Sequence, residues 1–127
     1  MEAVIIVTVL ALLQFNWFGL EVTKMRAKHQ CKAPATTGAP EFERMFRVQQ
    51  NTMEQLVMFL PALWLFAETV EPLWAAGLGA VYLVGRAMYR VAYVNDPARR
   101  SPGMMLSGLP TMVMLIGALG ATAYALV

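Results

Sequence analysis

Phe42-Glu-Arg-Met-Phe-Arg-Val-Gln-Gln-Asn-Thr-Met-Glu-Gln55 runs without a break into Leu56-Val-Met-Phe-Leu-Pro-Ala-Leu-Trp-Leu-Phe66. The apolar half is too short to cross a bilayer alone, because a hydrocarbon core needs about 20 helical residues. A crossing helix here must carry Arg47, Gln49, Asn51 and Glu54 into the membrane or its interface. Polar groups at that depth are costly unless they face protein or a water-filled cavity. Arg47, Asn51 and Glu54 fall at i, i+4 and i+7, so one helix face carries a cation, an amide and a carboxylate. That set suits a zwitterionic ligand.

The rest of the chain supports a membrane reading. Its 127 residues are 58% hydrophobic and only 14% charged, too apolar for an ordinary small soluble domain. Four crossing segments are expected, over about 3–21, 43–67, 73–94 and 104–126, in a single domain covering 1–127. The fourth has almost no polar atoms beyond Ser107, Thr111 and Thr122, whereas a soluble bundle needs a polar stripe on every helix. The first is expected to be retained, since Glu2 stands where a signal peptide would carry basic residues.

Charge gives the orientation. The ten Lys and Arg residues cluster at Lys24, Arg26, Lys28, Lys32, Arg44 and Arg47, then at Arg86, Arg90, Arg99 and Arg100. The turn Glu68-Thr-Val-Glu-Pro72 and the start at Glu2 are acidic. The positive-inside tendency then places the first and third loops in the cytoplasm and both termini outside. Juxtamembrane charge explains these residues more simply than nucleic acid does, so no nucleic-acid partner is expected. Compact loops and short tails suggest a bacterial inner membrane, with the endoplasmic reticulum as the alternative.

The first loop is expected over about Lys24 to Pro40, marked by Ala-Pro-Ala-Thr-Thr-Gly-Ala-Pro40. Glu41 and Glu43 suit the positive end of the second helix dipole, and Pro61 is expected to bend that helix. Cys31 is the only cysteine, so no intrachain disulfide can form. An incidental thiol is the favoured reading, and no Cys/His cluster implies a metal.

The third segment repeats the pattern of the second. Gly85-Arg-Ala-Met-Tyr-Arg-Val-Ala-Tyr93 follows an apolar run, with Arg86, Tyr89 and Tyr93 sharing a face at i, i+3 and i+7. By the charge argument this polar face lies at the depth of Arg47, Asn51 and Glu54. Headgroup snorkelling and an aromatic belt account for the arginines and tyrosines one at a time, but not for Asn51 and Glu54.

Phe42 to Glu54, preceded by Thr-Gly-Ala-Pro-Glu41, closely resembles the second-helix signature of the MAPEG superfamily, the membrane-associated proteins in eicosanoid and glutathione metabolism. Gly85 to Tyr93 resembles its third-helix signature. The likeness spans nearly the whole chain and is nearest to the microsomal glutathione transferase 2 and leukotriene C4 synthase branch. It implies an all-α, up-down-up-down four-helix bundle that assembles as a homotrimer, with glutathione as co-substrate between subunits near the cytoplasmic face. By matched position it implies glutathione contacts from Arg26, Arg47, Gln49, Asn51, Glu54, Tyr89 and Tyr93. Arg100 matches the arginine that holds the glutathione sulfur as a thiolate. The chemistry is compatible: the two carboxylates and the ammonium of glutathione suit Arg26 and Arg47 on one side and Glu54 on the other.

Two departures from the family pattern stand out. Ala27 replaces an arginine proposed as a general acid in leukotriene synthesis, which counts against that activity. Gln55 stands where animal relatives usually carry an aromatic ring. The expected function is a membrane glutathione transferase acting on an apolar electrophile, or on lipid hydroperoxides as a peroxidase. A non-enzymatic lipid-binding scaffold of the same family is the first alternative, although that branch lacks arginines matching Arg47 and Arg100. The second is a small multidrug/proton antiporter, which needs a membrane-embedded carboxylate. The first helix offers only Gln14 and Asn16 at mid-depth, leaving Glu54 to serve.

Overall fold

Helix forms wherever proline and the turn residues leave the chain uninterrupted. The computed structural model describes residues 1–127 and contains four long helices and no strand: α1 (Glu2–His29), α2 (Pro40–Thr69), α3 (Pro72–Asn95) and α4 (Ser101–Leu126). A single 3₁₀ turn, Pro97–Arg99, precedes α4. Pro40 and Pro72 open α2 and α3, where a missing N–H costs nothing. Glu71 caps α3 by accepting a 2.9 Å bond from the Trp74 N–H.

Three boundaries differ from the sequence expectation by three residues or more, one of them the start of α2 at Pro40 ahead of the expected 43. α1 continues past Glu21 to His29, so the first loop begins at Gln30 and not at Lys24. Polar residues end an apolar run, but Lys, Met, Arg and Ala are good helix formers and keep the backbone helical. Gln30 stops it in a left-handed conformation at φ 55°. α4 starts at Ser101, ahead of the expected 104, because Pro102 fits a first helical turn. α2 runs through Pro61 to Thr69 without interruption.

Two buried clusters hold the helices together. One includes Val4, Val7, Ala11, Phe59, Leu63 and Tyr82, and the other Phe18, Val22, Phe42, Met45, Val48 and Tyr89. Phe59 and Tyr82 stack with centroids 3.7 Å apart. Side chains fix the pairings along each helix. Trp64 Nε1 donates to Thr8 Oγ1 at 2.9 Å and Gln14 Nε2 to the Leu83 carbonyl at 2.9 Å. Arg90 pairs with Glu21 at 2.9 Å, and Arg44 Nη1 donates to the carbonyls of Val94 and Asn95. α3 and α4 meet backbone to backbone: a Cβ on Gly85 would sit 2.6 Å from the Leu106 carbonyl carbon, and one on Gly103 would overlap the Tyr89 backbone.

Two segments, Glu2–His29 and Pro97–Leu126, are long and apolar enough to cross a membrane. α2 and α3 fall outside that class because charged residues interrupt their apolar runs. Large apolar side chains such as Ile6, Leu13, Ile116 and Leu119 face outward from α1 and α4. That distribution suits a lipid or subunit environment and not water.

Candidate functional site

The site is built at the end of the bundle where the last turn of α1, the first half of α2, the second half of α3 and the start of α4 converge. On α2, the spacing of Arg47, Asn51 and Glu54 turns them to a common side. Arg47 and Glu54 are exposed and make no hydrogen bond or ion pair within the protomer. Asn51 is half-buried, and its Oδ1 is shielded from solvent without a donor. An unsatisfied buried acceptor costs about 1–3 kcal/mol, so a donor from outside the protomer would be stabilising there. Gln49, one turn before Met53, packs its amide against Gly19 of α1.

Tyr89 is buried and Tyr93 half-buried, and their rings stack 5.4 Å apart at 19°. Arg47 and Arg100 both lie within electrostatic range of Tyr89. Arg47 of α2 and Arg100 at the α4 entry therefore lie on the side of the bundle that carries Tyr89 of α3. Arg100 is exposed, and its Nη1 donates to the Pro97 carbonyl at 3.1 Å, closing the 3₁₀ turn.

Arg26 stands apart from this group. Its Nη1 donates to the carbonyls of Cys31 at 3.1 Å and Ala35 at 2.8 Å, and the guanidinium lies over the Phe42 ring at 4.8 Å. It therefore shapes the loop of residues 30–39 from inside the protomer, while Nη2 and Nε remain free for another acceptor. The same loop is clasped by Glu41, which accepts from Lys28 Nζ at 3.0 Å and contacts His29 Nε2 at 2.9 Å. His29 first, then Lys28, hold the Glu41 carboxyl below its usual range.

One expectation is corrected. Arg86 does not share an outward polar face with Tyr89 and Tyr93; it is fully buried. Its Nη2 donates to Thr52 Oγ1 at 2.8 Å and its Nη1 to Ser107 Oγ at 3.3 Å, tying α2, α3 and α4 together. The guanidinium also lies 4.4 Å from the Tyr89 ring centroid, close enough for a cation–π contact that fixes the ring. Thr52 and Ser107 were not singled out from sequence, because single hydroxyl residues on apolar helices usually return their proton to the preceding turn. Both do that here as well. The Arg90–Glu21 pair, with Arg90 5.1 Å from the Trp17 ring, was likewise missed. No group of His, Cys, Asp and Glu capable of holding a metal forms in the protein.

Comparison with known proteins adds a family context. The model of the MAPEG family matches residues 4–120. An uncharacterized protein of Synechocystis sp. is 45% identical over 114 residues, covering 90% of this chain and 83% of that protein. Human microsomal glutathione S-transferase 2 is 40% identical over 115 residues, covering 90% of this chain and 78% of its own length. Leukotriene C4 synthase of Cavia porcellus is 35% identical over 109 residues, covering 86% and 73%.

Proposed function

The chain belongs to the MAPEG family, and from that premise we propose that it is a multi-pass membrane glutathione transferase. In this reading the four helices run up-down-up-down through the membrane, including α2 and α3, and three protomers assemble with glutathione between them. Arg47 and the free part of the Arg26 guanidinium take the glutathione carboxylates, and Glu54 takes its ammonium. Gln49, Asn51, Tyr89 and Tyr93 orient the peptide, and Arg100 holds the sulfur as a thiolate. The compact loops and basic clusters suit a bacterial inner membrane.

The observation that carries this reading is the unspent polarity of α2. Arg47 and Glu54 have no partner within the protomer, and the Asn51 oxygen between them is buried without a donor. A zwitterionic peptide supplies all the missing partners at once. The names of two relatives, a glutathione S-transferase and a leukotriene C4 synthase, support a glutathione-dependent enzyme.

The chemistry needs no general base. A thiol of pKa about 8.5 is mostly protonated at neutral pH, and a guanidinium beside it in a partly dry site favours the anion. The thiolate sulfur attacks an electrophilic carbon of an apolar substrate, which keeps the displaced electron pair or loses it with a leaving group. With a lipid hydroperoxide, the same sulfur attacks the terminal peroxide oxygen, the O–O bond breaks and the lipid alcohol leaves; a second glutathione then displaces water from the resulting sulfenic acid to give the disulfide. The test is calorimetric titration of the purified protein with glutathione, followed by turnover with a panel of apolar electrophiles and hydroperoxides. Binding with turnover supports the proposal. Binding without turnover favours a non-enzymatic scaffold, and absence of binding contradicts both.

A further inference from the structure

A second groove lies apart from the Arg47–Asn51–Glu54 face. Ala87, Met88, Val91, Ala92 and Asn95 form one stripe of α3, and with Arg99, Pro102 and Gly103 they line an open groove of about 750 Å³. Tyr89 and Tyr93 occupy a different stripe of the same helix, in contact with the cluster around Phe18 and Phe42. Arg99 and Arg100 are adjacent in sequence but serve different places. Arg99 lines the groove, while Arg100 closes the 3₁₀ turn on Pro97 and acts on Tyr89.

The groove is amphipathic along its length. Met88 and Val91 are 40% and 53% exposed, a wet apolar wall that an unoccupied protomer would leave facing solvent or lipid. Asn95 and Arg99 stand at the other end, and the Arg99 side chain makes no ion pair or hydrogen bond. Asp96, the carboxylate nearest in sequence, uses Oδ1 to accept from the Ala98 N–H at 3.1 Å. The chain's cations collect at this end of the bundle, the side that faces an anionic leaflet under the positive-inside tendency. With 8 lining residues the groove is too small to be a protein interface by itself, since a stable one engages about 20–30 residues a side.

We propose that this groove binds one membrane phospholipid with an anionic headgroup. Arg99 and the Asn95 amide take the phosphate, and an acyl chain lies along Ala92, Val91 and Met88. Arg99 is then a lipid ligand and Arg100 is not. The proposal stands independently of the glutathione reading, because none of its residues belongs to that face.

The test uses the full-length protein in nanodiscs containing equal dioleoylphosphatidylglycerol and dioleoylphosphatidylcholine, released gently for native mass spectrometry. The wild type is expected to retain phosphatidylglycerol over phosphatidylcholine. Arg99→Gln should lower that preference about fivefold, the loss of one arginine near a charged surface, and Arg99→Lys should restore part of it. Val91→Trp, at an exposed position that leaves the core intact, should reduce retention of both lipids. Glutathione binding should be unchanged in all three variants. Equal retention of the two lipids by the wild type, or an undiminished preference in Arg99→Gln, would overturn the proposal. So would Val91→Trp altering the oligomeric state with lipid retention unchanged, which would assign the groove to a protein partner. Displacement of the retained lipid by free oleate at equal concentration would assign it to a soluble amphiphile instead.

Discussion

Arg47, Asn51 and Glu54 draw attention in the sequence because charged residues inside an expected crossing segment need a reason. Their helical spacing supplied a common face. Arg86 obeys the same arithmetic with Tyr89 and Tyr93, yet it turns inward to Thr52 and Ser107. Spacing assigns a residue to a stripe of its own helix but does not say which stripe meets a neighbour. The outward face makes a direct prediction. Arg47→Ala should weaken glutathione binding by about 2 kcal/mol or more, roughly thirtyfold in Kd, since it strands a carboxylate. Calorimetry showing unchanged affinity would remove Arg47 from the site. Glu41 gives a pH prediction. Its carboxyl is held below the usual range by His29 and Lys28, so the ionised form stabilises the folded loop at neutral pH. That contribution is present above the ordinary carboxylate range and is lost as pH falls through the lowered folded value. Glu41→Gln should therefore lower Tm slightly at pH 7, and the gap from wild type should close in acid. A gap that persists once the carboxyl is protonated would assign the effect to packing.

At the scale of elements, helix count was readable and helix ends were not. The polar residues after Glu21 marked the end of an apolar run, but they form the last two turns of α1. Extending α1 carries Arg26, Lys28 and His29 on helix to the positions from which they hold the loop and Glu41. The α3–α4 seam was also hidden, because its determinants are glycines whose meaning depends on an unseen neighbour. Gly103→Ala places a methyl group against the Tyr89 backbone, which cannot yield as a flexible side chain would. It should destabilise by about 1–3 kcal/mol and disturb the ring that Arg86 fixes. Gly108→Ala on the same helix meets no atom within 4 Å and should be neutral or stabilising by up to about 1 kcal/mol. Thermal unfolding in detergent orders the two; equal Tm values would show that α4 does not pack on α3 in this way.

The whole molecule combines two strongly apolar helices with two whose apolar runs are interrupted by charged residues. Membrane character was readable from composition, whereas assembly rests on what the protomer leaves unpaired. Arg47, Glu54 and the Asn51 oxygen lack partners, and apolar side chains cover the outside of α1 and α4. Lipid tails cannot satisfy the polar groups, so a homotrimer is expected, with family resemblance setting the number. Native mass spectrometry from mild detergent should show three copies, and monomers alone would contradict it.

Arg100 is proposed to hold a bound glutathione as a thiolate. The most direct test is the thiolate absorbance of glutathione titrated against pH on the purified oligomer, in wild type, Arg99→Ala and Arg100→Ala. A thiolate band at neutral pH is expected in wild type and in Arg99→Ala. In Arg100→Ala the bound thiol should titrate near its free value. Each unit of pKa is about 1.4 kcal/mol, so a rise of two units lowers the thiolate fraction by up to about a hundredfold. A neutral-pH thiolate band that survives the loss of Arg100, with glutathione still bound, would contradict the account.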